Sequence, residues 1–239
     1  MKKLSQVAYD RIRSKLMHGM LRSGELSEPS LAREIGISRT PIREAIRQLE
    51  SEGLLEQRPD RGTFVRRPDR RDIDEIFQIR LLLEPFVASQ AAQRADRNTL
   101  RELSKVHADM LGVVRQFRKA ADAATRDRLM QEHISLDIAF HDLLLRSADN
   151  RRILKLIADA NILTRTVGCP VAALENMLPF LVENQREHGR VLRAVRRGDH
   201  REASEAMAFH VSKGREKTLA YYDSLQSASA TPGPITLPR

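Results

Sequence analysis

The sequence predicts a mainly α protein: an N-terminal winged helix-turn-helix followed by an all-helical bundle. Three observations lead there. Two short helical patterns meet at a glycine at position 36, and the second opens on Ser38-Arg39-Thr40-Pro41. Two short strand-like stretches follow, joined by Arg58-Pro59-Asp60-Arg61-Gly62. From Asp72 onward the chain reads as helix after helix, with apolar residues at helical spacing.

Taken in order, Leu4, Val7, Ala8, Ile12, Leu16 and Met20 give a helix over residues 4–21, with Gly24 just past its end. Ser27 can cap a helix from Glu28 to Ile35, and Pro29 is tolerated in its first turn because no intrahelical N–H is needed there. Gly36 supplies the turn. Ser38 can cap the next helix, and Gly53 ends it. Residues 54–57 and 63–66 read as the two strands of a wing. Further helices are expected over roughly 97–118, 126–147, 150–167, 176–197 and 199–224, with breaks at Gly168-Cys169-Pro170 and Gly198-Asp199. The domain reading is 1–67 for the winged helix, 68–71 for a linker and 72–225 for the all-α domain. Residues 226–239, rich in Ser, Ala, Thr and Pro, read as a disordered tail.

The totals bound the function. The 239 residues carry a net charge of +9, which favours a polyanionic partner. Residues 1–70 hold 15 Lys+Arg against 10 Asp+Glu, or +5, leaving +4 for the other 169. The net positive charge is thus about three times denser on the N-terminal part. A single cysteine, Cys169, excludes an intramolecular disulfide and fits a reducing cytosol, so a cytoplasmic protein is expected. No apolar run approaches the ~18 residues of a membrane span, and the basic start is followed by no secretion-signal pattern.

A helix that reads the major groove needs donors near its N-terminus. Arg39 and Arg43 are four residues apart and share a face, and arginine is the preferred bidentate partner of guanine. Ser38 and Thr40 can donate to phosphates. Arg47, one turn on, points to backbone contacts. In the wing, Gly62 permits a tight turn and places Arg61 near a groove. Any one of these arginines alone would read as an ordinary surface residue. The ordered set points to double-stranded DNA.

In the second half, Asp137 and His141 stand at i, i+4 on one helix, and His188 and His210 follow on two later helices. One carboxylate with three imidazoles suits Zn²⁺, Ni²⁺ or Mn²⁺ better than a thiol-seeking metal. By spacing alone, such a pair is more commonly a surface hydrogen bond or a satisfied core histidine. His133, one turn before Asp137, could orient that carboxylate or face solvent. His18, His107 and His200 carry no partner pattern.

Leu31-Ala32 through Gly36-Ile37-Ser38-Arg39-Thr40-Pro41-Ile42-Arg43-Glu44-Ala45-Ile46, then Leu49, Glu52-Gly53-Leu54 and Arg61-Gly62-Thr63-Phe64-Val65, resembles the winged helix of the GntR family of bacterial transcription regulators. Arg80-Leu81-Leu82-Leu83-Glu84-Pro85 with Ala91-Ala92, Asp137 to His141 with Asn150, and Glu187-His188 through Gly198-Asp199 to His210 resemble the all-helical FCD effector domain of its FadR-like branch. The resemblance implies DNA contacts from Arg39, Thr40, Arg43 and Gly62. It implies one divalent metal on Asp137, His141, His188 and His210, with a small carboxylate metabolite beside it. Arg80 matches a position that faces this pocket, its alternative being an ion pair with Glu84. Where some relatives carry an arginine early in the first motif helix, this chain has Glu28-Pro29-Ser30, and Arg33 is the nearby residue that could compensate. The expected whole is a homodimer on a palindromic operator, repressing by default and not an enzyme. Two rival readings are a metal-dependent enzyme using the Asp/His set and a DNA-binding protein with a purely structural metal.

Overall fold

Ala8, Ile12 and Leu16 repeat every fourth residue and are fully buried, which seats the first helix, α1 (Leu4–Met17), on the second helix of the helix-turn-helix, α3 (Arg39–Ser51). The computed structural model describes residues 3–17, 21, 25–59, 61–66, 68–154, 156–157 and 177–229. Expectations for His18, Gly24, Cys169 and the break around it, most of the 150–167 helix, and residues 230–239 of the tail lie outside these residues.

Helix α2 (Glu28–Ile35) starts as its sequence directs: Ser27 accepts the Ser30 N–H at 3.3 Å, and Pro29 occupies the first turn. It stops at Gly36, whose φ of +77° is left-handed and favours glycine. In α3, Pro41, Ile42, Ala45, Ile46 and Leu49 face inward and pack on α1 and α2. Ser38 stands at the N-cap position, but its side chain makes no cap hydrogen bond, which corrects that expectation.

The wing strands are β2 (Leu55–Arg58) and β3 (Gly62–Val65), antiparallel, with Leu55 opposite Val65 and Arg58 opposite Gly62. A two-residue strand, β1 (Glu25–Leu26), pairs with the other side of β3, so β3 is central in a three-stranded sheet.

The helical domain begins at α4 (Arg70–Arg94) with a reciprocal cap: Asp69 accepts the Asp72 N–H and Asp72 accepts the Asp69 N–H. Asp96 and Asp122 cap α5 (Arg97–Lys119) and α6 (Ala123–Ser147) in the same position. After the undescribed stretch come α7 (Met177–Arg197) and α8 (His200–Ser229). Helix α4 packs mainly on α8, α5 lies against α6 and α7, and α7 and α8 lie side by side. Their shared core includes Phe77, Val87, Ala91, Phe140, Leu144, Val191 and Met207. A second core of Val113, Phe117, Leu129, Met130 and Leu181 fills the far end of α5, α6 and α7. At the junction, Arg66 grips both carboxylate oxygens of Asp72 at 2.7 and 2.8 Å, and the Tyr222 hydroxyl of α8 donates to the Pro68 carbonyl. No described helix is long and apolar enough to cross a membrane.

Candidate functional site

Burial on one side of α3 leaves Ser38, Arg39, Thr40, Arg43 and Arg47 exposed on the other. The helix period does this: with Ile42, Ala45, Ile46 and Leu49 inward, the residues between them turn outward. Arg61 is exposed at the wing, and Gly62 has a φ of +86°, a left-handed turn conformation. Arg33 is exposed, and its Nε lies 3.4 Å from the Pro29 carbonyl of its own helix. One residue outside the predicted set joins this surface. Glu28 Oε2 accepts from Arg43 Nε at 2.8 Å and from Arg39 Nη2 at 3.4 Å.

The bundle brings the four predicted ligand residues together. Asp137 and His141 come from α6, His188 from α7 and His210 from α8, and one ligand atom from each lies within 4.8 Å of the others. The three histidines are buried, while the Asp137 side chain is 31% exposed. Phe140 stands edge-on to His188, ring centres 4.8 Å apart, and walls the pocket.

The outer nitrogens decide what the inner ones present. His141 Nδ1 lies 2.8 Å from Glu84 Oε2, His188 Nδ1 lies 2.8 Å from the Asn184 carbonyl, and His210 Nδ1 lies 2.9 Å from Glu187 Oε2. The Asn184 carbonyl and Glu187 accept hydrogen bonds, so His188 and His210 carry the proton on Nδ1 and offer the Nε2 lone pair to the centre, whereas the His141–Glu84 approach is an ion-pair contact in which Glu84 Oε2 makes no hydrogen bond. There His141 Nε2 and His210 Nε2 face each other at 3.2 Å, and buried His188 Nε2 has no hydrogen-bond partner, though Asp137 Oδ1 is 3.3 Å away. Lone pairs aimed at one point beside a carboxylate call for a cation: a shared proton or a divalent metal. The N₃O set fits Zn²⁺, Ni²⁺ or Mn²⁺.

Charge settles the protonation. Burial pushes His188 well below the usual histidine range, and any charge on His210 would push it further. Burial, then His141, holds His210 down to about 3. Burial also opposes charge on His141, but Glu84 outweighs it and raises that histidine. Burial would raise the Asp137 and Glu84 carboxyls. The surrounding histidines hold Asp137 well below the usual range, and Arg80 with His141 does the same for Glu84.

Arg80 and Glu84 do pair, Nε to Oε1 at 2.6 Å, and both are largely buried. This is the ion pair that stands as the alternative reading of Arg80, and the other oxygen of Glu84 lies 2.8 Å from His141 Nδ1. His133 is buried, not solvated, and meets Asp137 only through Asn184: His133 Nε2 lies 3.1 Å from Asn184 Oδ1, and Asn184 Nδ2 lies 3.4 Å from Asp137 Oδ1. Glu84, Asn184 and Glu187 were not among the sequence candidates. Glu84 carries a local signal, its i, i+4 spacing from Arg80, whereas Asn184 and Glu187 reach Asp137 and His210 across helices. His107 lies half-buried against Gln185, and His200 is exposed.

A winged helix joined to an all-helical bundle is the build of a two-domain DNA-binding regulator. Residues 4–65 match the family model of bacterial regulatory proteins of the gntR family, and residues 75–213 match that of the FCD domain. The chain belongs to the gntR family of bacterial transcriptional regulators, in the group that carries an FCD domain, and it is not an enzyme. Its relatives include an uncharacterized HTH-type transcriptional regulator, YdhC, of Bacillus subtilis (strain 168), 29% identical over 203 residues, 84% of this chain and 85% of that protein. The gluconate operon transcriptional repressor of the same organism is 31% identical over 150 residues, 62% of this chain and 56% of that protein. The E. coli McbR/YncC structure shares the fold, with a TM-score of 0.71 at 19% identity, over 95% of this chain and all of that one.

Proposed function

We propose that the protein is a transcriptional repressor whose operator affinity is set by a divalent metal and a small carboxylate metabolite in the helical domain. The observation that carries the metal is the set of three Nε2 atoms gathered beside Asp137, those of His188 and His210 fixed by acceptors behind their Nδ1 and that of His141 by its contact with Glu84. The residues that hold the ion are Asp137, His141, His188 and His210. Zn²⁺, Ni²⁺ and Mn²⁺ all suit this set, and the ion keeps positions open for a carboxylate. Arg80 is the second anchor: Glu84 engages its Nε, and its two Nη groups form a fork of the kind that grips a carboxylate. A relative named for a gluconate operon accords with a carboxylate effector and with repression.

On the DNA side, Arg39 and Arg43 read bases, Ser38, Thr40 and Arg61 hold phosphates, and Gly62 shapes the wing. The protein works as a homodimer on a palindromic duplex. Helix α4 supports this with an outward apolar stripe: Ile79, Leu82 and Phe86 share one face and are 43%, 77% and 46% exposed. A second copy covers it. The effector acts through its differential affinity for the two arrangements of the DNA heads.

The test is operator binding by the full-length protein, metal-free and metal-loaded, with and without a panel of small carboxylates. A carboxylate that shifts the affinity of the metal-loaded form and not of the metal-free form supports the reading. A metal that binds yet never changes the response to any carboxylate would leave it purely structural.

A further inference from the structure

Arginines at the front of a reading helix have two uses for their five N–H donors, and the uses compete. They can grip phosphates, which carries no sequence information, or meet a base edge in the plane that matches guanine. A free guanidinium on a flexible stem favours the first, because phosphates are many and near.

Here the choice is biased by Glu28. It sits in the first turn of α2, a segment fixed by the Ser27 cap and by Pro29. Its Oε2 takes the Arg43 Nε at 2.8 Å and the Arg39 Nη2 at 3.4 Å. Its side chain is 26% exposed, against 56% for Arg43 and 57% for Arg39, so the carboxylate lies beneath the arginines and their outer ends face solvent. Other carboxylates of this domain are engaged elsewhere. Glu34 pairs with Lys15, Glu52 accepts the Tyr9 hydroxyl, and Glu56 accepts from Arg58. Among the described residues Glu28 alone reaches the guanidinium groups of α3.

We infer that Glu28 is a positioning residue that sets sequence discrimination, resting on the assignment of α3 as the reading helix. Occupying Nε blocks the side-on approach of Arg43 and presents its two Nη groups end-on, as a fixed fork. The negative charge also opposes close approach of phosphates, so it weakens binding to any duplex and leaves the matched base as the favoured partner. Arg39 is steered by the same oxygen.

The experiment uses the full-length protein and duplexes enriched from a random-sequence pool by the wild type, compared with duplexes from the unselected pool. Glu28→Gln keeps the side-chain shape and removes the charge. Binding of the variant to unselected duplex should tighten by about threefold, the scale of one charge removed ~6 Å from a phosphate in water. Its salt slope should steepen by about one as Arg43 takes up a phosphate. The ratio of selected to unselected affinity should fall by about fivefold or more, the lower end of what a bidentate arginine contributes. A base-by-base scan of the selected duplex should show the loss confined to the positions that Arg43→Ala or Arg39→Ala also relaxes. An unchanged ratio overturns the inference. So does a parallel loss of both affinities with a lowered melting temperature, which would make Glu28 merely structural. If Arg43→Ala itself keeps full affinity for the selected duplex, α3 is not the reading helix, and that failure is seen before Glu28 is tested.

Discussion

Asn184→Ala separates the shell of the metal pocket from its ligands. Asn184 is buried, and its side chain serves two neighbours: His133 Nε2 at 3.1 Å and Asp137 Oδ1 at 3.4 Å. Its backbone carbonyl, which holds His188, survives the substitution. Burial pushes the His133 pKa down, so at neutral pH the ring is uncharged. Its Nδ1 already lacks a partner, so the ring donates through Nε2 to the Asn184 side-chain Oδ1. The alanine strips that last bond from a ring that is 2% exposed. Leaving a buried donor unpaired costs about 1–3 kcal/mol. At about 2–4 °C per kcal/mol for a domain of this size, the metal-free helical domain should melt roughly 2–12 °C lower. Outer partners of metal ligands are worth about 10–100-fold in affinity. The Asp137 contact is long, so the lower end, about tenfold, applies. Thermal unfolding of metal-free protein reads the first effect, and Zn²⁺ titration against a chromophoric chelator reads the second. A normal melt together with unchanged Zn²⁺ affinity would refute the claim that Asn184 links His133 to the ligand set.

Three further outcomes are expected. Arg43→Ala loses sequence-specific DNA binding yet melts as the wild type, because its side chain is exposed and its helix is held by Ile42, Ala45, Ile46 and Leu49; retained specificity in a binding assay would remove it from the reading face. Metal affinity should be flat above the raised pKa of His141 and fall about tenfold per pH unit below it. The sign follows from the ring charges: His188 and His210 stay neutral, so the ion displaces one proton, that on His141, and a slope of two protons in pH-dependent Zn²⁺ titrations would contradict this. Leu82→Glu places a charge on the exposed stripe of α4 and should convert a dimer to a folded monomer in sedimentation; an unchanged assembly would put the interface elsewhere.

Local chemistry was the legible part of the fold. Ser27, Gly36, Gly53 and Gly62 announce their caps and turns, and each glycine has the positive φ such a turn requires. Helix α6 starts three residues before its apolar pattern suggests, since Asp122 caps it through Thr125. Strand β1 leaves no trace in the sequence because two residues hold no periodicity; only pairing with β3 defines it. Ser38 lies where a cap belongs, yet its hydroxyl is not used as one. In the pocket, the Asp137/His141 spacing is visible on one helix, while His188 and His210 stand on later helices as further candidate ligands whose spacing alone does not favour metal, and the family resemblance is what tips the set toward one. Glu84, Glu187 and Asn184 reach the pocket from α4 and α7, and such contacts between helices leave little trace in the order of residues. Glu28 was legible as a departure from relatives, not as the partner of Arg39 and Arg43.

The most direct measurement is metal content per chain on untagged protein by elemental mass spectrometry, for the wild type, His141→Ala and His188→Ala. The account predicts about one equivalent in the wild type and its loss in both variants, with DNA binding by the metal-free protein largely kept. Wild-type protein that carries no metal and refuses added Zn²⁺, Ni²⁺ and Mn²⁺ would contradict it. The converging nitrogens would then share a proton in a closed polar network, and the pocket would answer to a purely organic ligand.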